Sequence, residues 1–356
     1  MTKRILFILL ALVLALSLSL IGCTQEGQQE EEEEEEEEPE VLEITLSDHN
    51  PPFAAPNPAI VAYGAYIEEH SDGLVTVDVH TGGELYSDVE LFGAVKSGAV
   101  DGGNYVPEIG DGIYYMQVMN LPFMGFTSQQ MVDDIFWDMV DAHPEIMEDF
   151  TDQGLFLSNM VVMPGYNLNF YEEGLVVDDP ADLNGMQICA MEGNLITILE
   201  YLPGVTGIQL AFPDLAPSFE SGLGDAFAQH YPFQIAVVGF DYFKSHTTAN
   251  IIYTPIGILW NKASYDACVD AVGQSVMDGA AQVYADIFYP MDADTMNWFY
   301  GEAEARGDTI TVLDSTQLAA FAAYMTPWID DWIAGADDPA TAQALYEDCQ
   351  AMIAAY

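Results

Sequence analysis

Residues 75–80, Val-Thr-Val-Asp-Val-His, alternate apolar and polar side chains. This period-two pattern predicts a half-buried strand. It stops at Gly82-Gly83, a turn signal. Ser87 stands three residues before Glu90, a capping-box spacing, and predicts a helix over 88–97 that Gly98 ends. Ala99-Val100-Asp101 predicts a further short strand, and Gly102-Gly-Asn-Tyr-Val-Pro107 the loop leaving it. Strand, glycine turn, capped helix and strand form a βαβ-type unit.

The pattern continues in the same style on both sides. Residues 41–46 alternate as a strand, and Asn57 followed by Pro58 caps a helix reaching about residue 70. Helices are predicted over 128–143 and 145–153. Residues 154–170 read as an apolar strand pair interrupted at Pro164-Gly165. A strand leaving through 189–194 passes into a helix ending near 202, and another helix covers 214–221. Residues 247–260 are strand-rich, and 263–305 form a long helical region broken at Pro290. A strand over 309–313 and helices from 315 to 356 finish the chain. Strands and helices alternate throughout, so the fold class is α/β. No internal repeat stands out.

The first 40 residues follow a different rule. Lys3 and Arg4 precede an apolar run from Ile5 to Leu20, shorter than the ~20 apolar residues of a membrane span. The run ends in Leu20-Ile-Gly-Cys23, which matches the lipobox L-x-(G/A)-C. Residues 1–22 are therefore expected to be a signal peptide, with Cys23 the lipidated residue that tethers the chain to a membrane. An uncleaved anchor or a plain signal peptide is the alternative. Residues 23–40 then form a linker with unbroken glutamate over 30–38, where like charges extend a chain and prevent a core.

Charge sharpens this. The chain carries 58 acidic and six basic residues, for a net −52. Beyond the leader only Lys96, Lys244, Lys262 and Arg306 remain. Nothing here can neutralise a phosphate backbone, so nucleic acid is excluded as a partner. Such acidity suits an extracytoplasmic protein in a saline habitat, where molar salt shortens the Debye length to roughly 3 Å. An ordinary acidic secreted protein is the blander reading.

The opening unit also carries a resemblance. Gly82, Gly83, Leu85, Ser87, Glu90, Val95, Gly98 and Asp101 fit the pattern GG-x-LG-(S/D)-x-x-E-x-x-x-x-V-x-x-G-x-x-D. That pattern is found in solute-binding proteins of TRAP (tripartite ATP-independent periplasmic) transporters, the DctP-type family. Three further segments resemble the family in order. They are Pro180-Ala-Asp-Leu-Asn-Gly-Met-Gln-Ile188, Phe212-Pro-Asp-Leu215 leading to Ser221-Gly-Leu-Gly-Asp225, and Leu259-Trp-Asn-Lys262. The resemblance covers residues from about 41 to the C-terminus. It implies a two-lobed periplasmic-binding-protein-like fold with chain crossovers, a cleft between lobes and a long helix spanning both. The lobes are expected at 41–163 plus 250–289 and at 164–249 plus 290–356. The implied partners are a small-molecule solute and the small and large membrane subunits of a TRAP permease.

The candidate ligand residues follow from two sources. In open α/β sheets ligands sit beyond the carboxyl ends of strands, which selects Asn50, Asn104 and Tyr105; turn chemistry is the competing explanation. Tyr166, Phe212, Tyr231 and Trp260 supply aromatic faces, with ordinary core the favoured reading for Phe212 and Trp260. Family members that bind carboxylates place an arginine after the K-I of the second motif, where this chain has Cys189. A second frequent arginine falls near Asn167. Both anion clamps are therefore replaced by neutral groups. A carboxylate in a closed cleft without a cation is costly. The expected ligand is neutral, zwitterionic or cationic, or an acid held through a metal. Asp225-Ala226 with Pro232 is similar to the 2-oxoacid-binding branch, but its usual Glu-Trp pair appears as Ala228-Gln229. Metal therefore stays a minority reading, with no metal ligand or cofactor assigned. Glu192, Asn194, Gln229 and His230 complete the candidate set, Glu192 as a partner for a cation or as a surface carboxylate.

No catalytic signature occurs: there is no G-x-S-x-G, H-E-x-x-H, C-x-x-C or P-loop, and the six histidines are scattered. The chain reads as a receptor, not an enzyme. A ligand-sensing domain for a membrane signalling protein is the alternative, and an exported enzyme is disfavoured. Cys268 and Cys349 lie on C-terminal helices, and whether they pair is left open.

Overall fold

The computed structural model describes residues 41–107, 109–211, 214–239 and 241–356. The signal segment, Cys23, the glutamate run and the Phe212-Pro213 pair lie outside the described residues.

In chain order the first half holds β1 (Leu42–Ser47), α1 (Pro56–Glu69), β2 (Val75–His80), α2 (Asp88–Ser97) and β3 (Gly102–Tyr105). Then come α3 (Gln129–Ala142), α4 (Glu145–Thr151), β4 (Leu155–Val162), β5 (Asn167–Phe170) and β6 (Gln187–Ala190). Next are α5 (Gly193–Glu200), β7 (Thr206–Gln209), α6 (Leu215–Glu220), β8 (Ala226–Gln229) and α7 (Tyr231–Val238). The chain continues through β9 (Ser245–Thr248), β10 (Pro255–Asn261), α8 (Lys262–Val272), α9 (Gln274–Arg306) and β11 (Thr309–Val312). It closes with α10 (Ser315–Ala322), α11 (Thr326–Gly335) and α12 (Pro339–Ala355).

Two sheets result. One has the order β2-β1-β3-β10-β4, parallel across β2, β1 and β3, with β10 antiparallel to both neighbours. The other has the order β11-β9-β5-β8-β6-β7. Helices cover both, as the two-lobed α/β reading requires. No helix among the described residues is long and apolar enough to cross a membrane.

Local chemistry explains the opening unit. Glu90 Oε2 accepts the Ser87 N–H at 3.1 Å, and Gly98 ends α2 at φ +74°. The next strand, however, is Gly102–Tyr105 and not 99–101. Its glycines are needed for close approach: a Cβ on Gly103 would stand 2.2 Å from the Ser47 carbonyl oxygen. The glycine pair that reads as a loop is the strand's interior. Asn57 is also reassigned. Helix α1 starts at Pro56, and Asn57 turns inward to donate to Asp48 and to the Asn50 carbonyl.

Residues 154–170 do form two strands, but they do not pair. β4 pairs with β10 in one sheet, while β5 pairs with β8 and β9 in the other. Pro164-Gly165 therefore lies in a crossing between sheets. Residues 250–254 cross back beside it: Tyr166 N–H donates to Ile252 O at 3.0 Å, and Ile251 N–H to Tyr166 O at 2.8 Å. A Cβ on Gly165 would meet Asn250 Oδ1 at 2.2 Å, and Asn250 itself has φ +45°.

The long helix breaks at Gly273, φ +85°, and α9 then runs unbroken for 33 residues through Pro290. Its buried stripe is Met277, Ala280, Tyr284, Phe288, Asp292, Phe299 and Ala303. The first four join a core with Ile44, Leu46 and Trp260 of the first sheet. The last two pack with Tyr231 beside the second sheet. Each such buried apolar side chain contributes roughly 1.5–3 kcal/mol. Packing at both ends keeps α9 continuous through the one backbone bond that Pro290 removes.

The C-terminal helices, expected in the second lobe, bury Trp332, Ala336, Ala342, Leu345 and Cys349 in a core shared with Leu155 and Leu157 of β4. Cys189, Cys268 and Cys349 are free thiols, and Cys268 lies in a different core from Cys349.

Candidate functional site

A cavity of about 240 Å³ lies where the loop after β1, the first crossing segment, α7 and the middle of α9 meet. The loop after β1 and the start of α1 contribute Asn50, Phe53, Ala54, Ala55 and Pro56. The crossing contributes Met163, and α7 with its N-cap contributes His230, Pro232, Phe233 and Ile235. Helix α9 supplies Phe288, Met291, Asp292, Thr295 and Trp298.

Asp292 is the charge of this cavity. It is 6 % exposed, and burial pushes its carboxyl up to about 7. Its Oδ2 accepts from Gln129 Nε2 at 3.2 Å, and that amide nitrogen also serves the Val162 carbonyl at 2.6 Å. Oδ1 has no protein partner among the described residues. Sequence reasoning missed Asp292. The available signal was its place four residues after Phe288 on the buried stripe of α9.

His230 is the second polar group. It caps α7: its Nδ1 accepts the Phe233 N–H at 3.3 Å. Burial drives the ring down to about 3, so it is neutral at physiological pH. With Nδ1 accepting, the proton is assigned to Nε2, a donor available to the cavity.

Three predicted residues gather behind this wall. Tyr166 stands with its ring 5.3 Å from that of His230 and donates its hydroxyl to Glu192 Oε1 at 2.9 Å. Gln229 Nε2 approaches the same oxygen at 3.4 Å, and Gln229 Oε1 accepts the His230 N–H at 2.9 Å. Burial raises the Glu192 carboxyl, and its Oε2 is buried without a partner among the described residues. Asn194 is half-buried on the first turn of α5, and only its backbone is engaged.

Asn50 reaches the cavity wall, held from behind by Asp48. Asp48 Oδ1 accepts the Asn50 N–H at 3.1 Å, Asn50 Nδ2 at 2.7 Å and Asn104 Nδ2 at 2.8 Å; Oδ2 accepts Asn57 Nδ2 at 3.0 Å. Asn104 is thereby consumed in structure. It is fully buried, and its Oδ1 accepts the Tyr284 hydroxyl at 2.7 Å.

The other predicted residues are not on the wall. Tyr105 packs between Phe92 and Phe150 and donates to Asp111 at 2.9 Å, because β3 turns it into the core. Tyr231 stacks on Phe299 at 3.9 Å and bonds Thr248, since the first turn of α7 faces α9. Trp260 is core, with its Nε1 donating to Tyr63. Asn167 Oδ1 accepts the N–H groups of Ala249 and Asn250 at 2.9 and 3.1 Å, clipping β5 to the segment that follows β9. Cys189 sits in an aromatic core with Phe227 and Phe243, where burial pushes its thiol up to about 11. Neither position of the expected arginine clamp faces the cavity with a free polar group.

No lysine or arginine lines the cavity. Lys96 donates to Gln153, Lys262 pairs with Asp266, and Arg306 pairs with Asp308 and Asp241.

Comparison with known proteins places the fold. The family model of bacterial extracellular solute-binding protein, family 7 (DctP) matches residues 58–335. A solute-binding protein of Verminephrobacter eiseniae is 29% identical over 154 residues, 42% of this chain and 44% of that one. The match thus spans less than half of that relative's length. Among solved structures, one from Chromohalobacter salexigens with bound D-glucuronate superposes with a TM-score of 0.74 at 17% identity, covering 87% of this chain and 99% of that one. DctP7 of Bordetella pertussis, which binds pyroglutamic acid, gives 0.73 at 17% identity, covering 86% and 100%. A marine metagenome TRAP protein with 3-hydroxybenzoate gives 0.73 at 20% identity, covering 89% and 99%. The chain belongs to the DctP family of extracellular solute-binding proteins, a family of receptors and not of enzymes.

Proposed function

We propose that this DctP-family protein is a lipid-anchored extracytoplasmic receptor. It captures a small polar organic solute between its lobes and delivers it to a TRAP-type permease. The observation that carries this reading is the cavity walled by the loop after β1, by α7 and by α9, with a buried acid and no basic side chain on it. The ligand residues are Asn50, His230 and Asp292, with Tyr166, Glu192 and Gln229 supporting them from behind. The solute is neutral, zwitterionic or cationic, because a bare anion would meet Asp292 with no cation to offset it. The lobes are taken as 41–163 plus 250–289 and 164–249 plus 290–356, with the C-terminal helices docked back on the first. Net charge fits a saline habitat, and Cys23 is the anchor.

Two measurements test this. Calorimetric titration in molar salt of a panel of acids, sugars, amines and betaines is expected to find a binder that also compacts the protein in X-ray scattering. A panel without any binder sinks the receptor reading. Cys23→Ala is expected to release the protein from membranes; unchanged fractionation and processing removes the anchor.

A further inference from the structure

The cavity joins three features that recognise one kind of group. Its carboxylate, Asp292, has no partner for Oδ1 among the described residues. Four aromatic side chains share the wall: Phe53, Phe233, Phe288 and Trp298. Phe53 and Trp298 are exposed, so they stand where a solute enters. Aromatic faces attract cations within about 6 Å of the ring centre, most strongly when both are removed from water. The third feature is the neutral His230, whose Nε2–H is a donor without a charge to repel a cation.

We infer that the cavity binds the alkylated ammonium group of its solute, with Asp292 as counter-charge and the four rings as its cage. This rests on the receptor reading above and names the solute class. A methylated ammonium cannot donate a hydrogen bond, so it leaves nothing unpaired among apolar rings. An acceptor elsewhere on the solute, such as a carboxylate or hydroxyl, meets His230 Nε2–H.

The inference has a pH sign. Asp292 titrates near 7 in the empty protein, so a bound cation expels a proton where Asp292 is protonated. Ammonium affinity then rises with pH from 6 to 8 and levels off. An anionic solute would need the protonated Asp292 as a donor, and its affinity would fall over the same range. The other titratable groups around Asp292 are few. His230 on α7 stays neutral down to about 3. Tyr284 and Tyr289 on the same helix are raised first by burial, then by Asp48 for Tyr284 and Asp133 for Tyr289, with Asp292 adding less to each. Asp133 on α3 is pushed up to about 6 but is not on the cavity wall. Its titration is shared by the wild type and by Asp292→Asn, so the comparison cancels it.

The test uses the full mature chain in 1 M sodium chloride. Tetramethylammonium, choline and glycine betaine are titrated against glucuronate and pyroglutamate at pH 6, 7 and 8. At least one ammonium compound is expected to bind, with affinity rising about tenfold from pH 6 to pH 8. Asp292→Asn is expected to lose at least tenfold at pH 8 and to flatten the pH profile. Trp298→Ala, at an exposed position of the wall, is expected to lose several-fold. Binding of the acids alone, tightening as pH falls, overturns the inference and leaves the receptor reading standing. Ammonium binding that Asp292→Asn and Trp298→Ala leave unchanged also overturns it, since the site would then lie elsewhere. Binding of neither class overturns the inference, and the wider panel that includes sugars then decides the receptor reading.

Discussion

Asp48 and Asp292 are two buried aspartates beside one cavity, and the chain treats them in opposite ways. Asp48 is fully buried with four donors on its two oxygens, three of them from asparagine side chains and one from a backbone N–H. Among the described residues Asp292 has one donor, itself shared, and an oxygen left over. Neither has a lysine or arginine. A protein with almost no cations can bury a carboxylate by surrounding it with amides, at the cost of committing those amides. Where it does not do so, the remaining valence is available to a solute. The difference separates a structural acid from the acid proposed to bind, without reference to any relative.

The comparison can be broken by mutation. Asp48→Ala removes the acceptor of four buried donors, of which Asn57 Nδ2 and Asn104 Nδ2 keep a backbone carbonyl and the two from Asn50 do not, and is expected to cost about 3–5 kcal/mol in denaturant unfolding. A loss below about 1 kcal/mol would show that the amides find other partners and that Asp48 is not structural. Gly165→Ala comes next. Its Cβ would stand 2.2 Å from Asn250 Oδ1, so it is expected to cost about 2–3 kcal/mol, relieved in part by Asn250→Ala. No rescue in the double variant would place the strain elsewhere.

Asp292 is expected to behave differently, through pH. Its folded carboxyl, near 7, lies above the usual 3.8, so the folded state holds the extra proton. Its contribution to stability is present below about pH 4 and is lost as pH rises through 7. Asp292→Asn is therefore expected to match the wild type at pH 4.5 and to exceed it by about 1–2 kcal/mol at pH 8. His230, pushed down to about 3, has the reverse slope but is common to both proteins. A constant difference between the two proteins across this range would mean that Asp292 is not held protonated. The smallest effect concerns Gln234, fully buried on α7 with neither side-chain polar atom partnered among the described residues. Gln234→Met is expected to raise stability by about 1 kcal/mol. Loss of stability would reveal a partner for the amide.

Much of the fold could be read from the residues, because it rests on short-range rules. The Ser87–Glu90 cap, the Gly98 stop and the alternation of 75–80 need only neighbours a few positions apart. The strand at 102–105 was hidden because its glycines answer to Ser47, a contact 56 residues away. The β4–β5 segment was misread for a similar reason: adjacent strands joined by Pro-Gly look like a hairpin, and only tertiary pairing sends them to different sheets. The site was legible in part. Tyr166, Glu192, Gln229 and His230 do come together, while Tyr105 and Tyr231 took the core places that their apolar bodies favour. Asp292 was passed over because an acid in a run such as Met291-Asp-Ala-Asp294 resembles a solvated helix face in a chain this acidic.

Pro290 has a mechanical meaning. Helix α9 is a shaft clamped at both ends, by the first sheet's core up to Phe288 and by Tyr231 around Phe299. Proline lacks the N–H that would tie residue 290 to the carbonyl of Asp286, so the shaft has one missing rung. That rung lies directly before Met291 and Asp292, both on the cavity wall. A shaft loaded at its ends yields first where a rung is absent. Any change in the angle between its clamps is therefore concentrated beside the charge that would hold the solute, and a solute gripping Asp292 would stiffen the protein at its weakest cross-section.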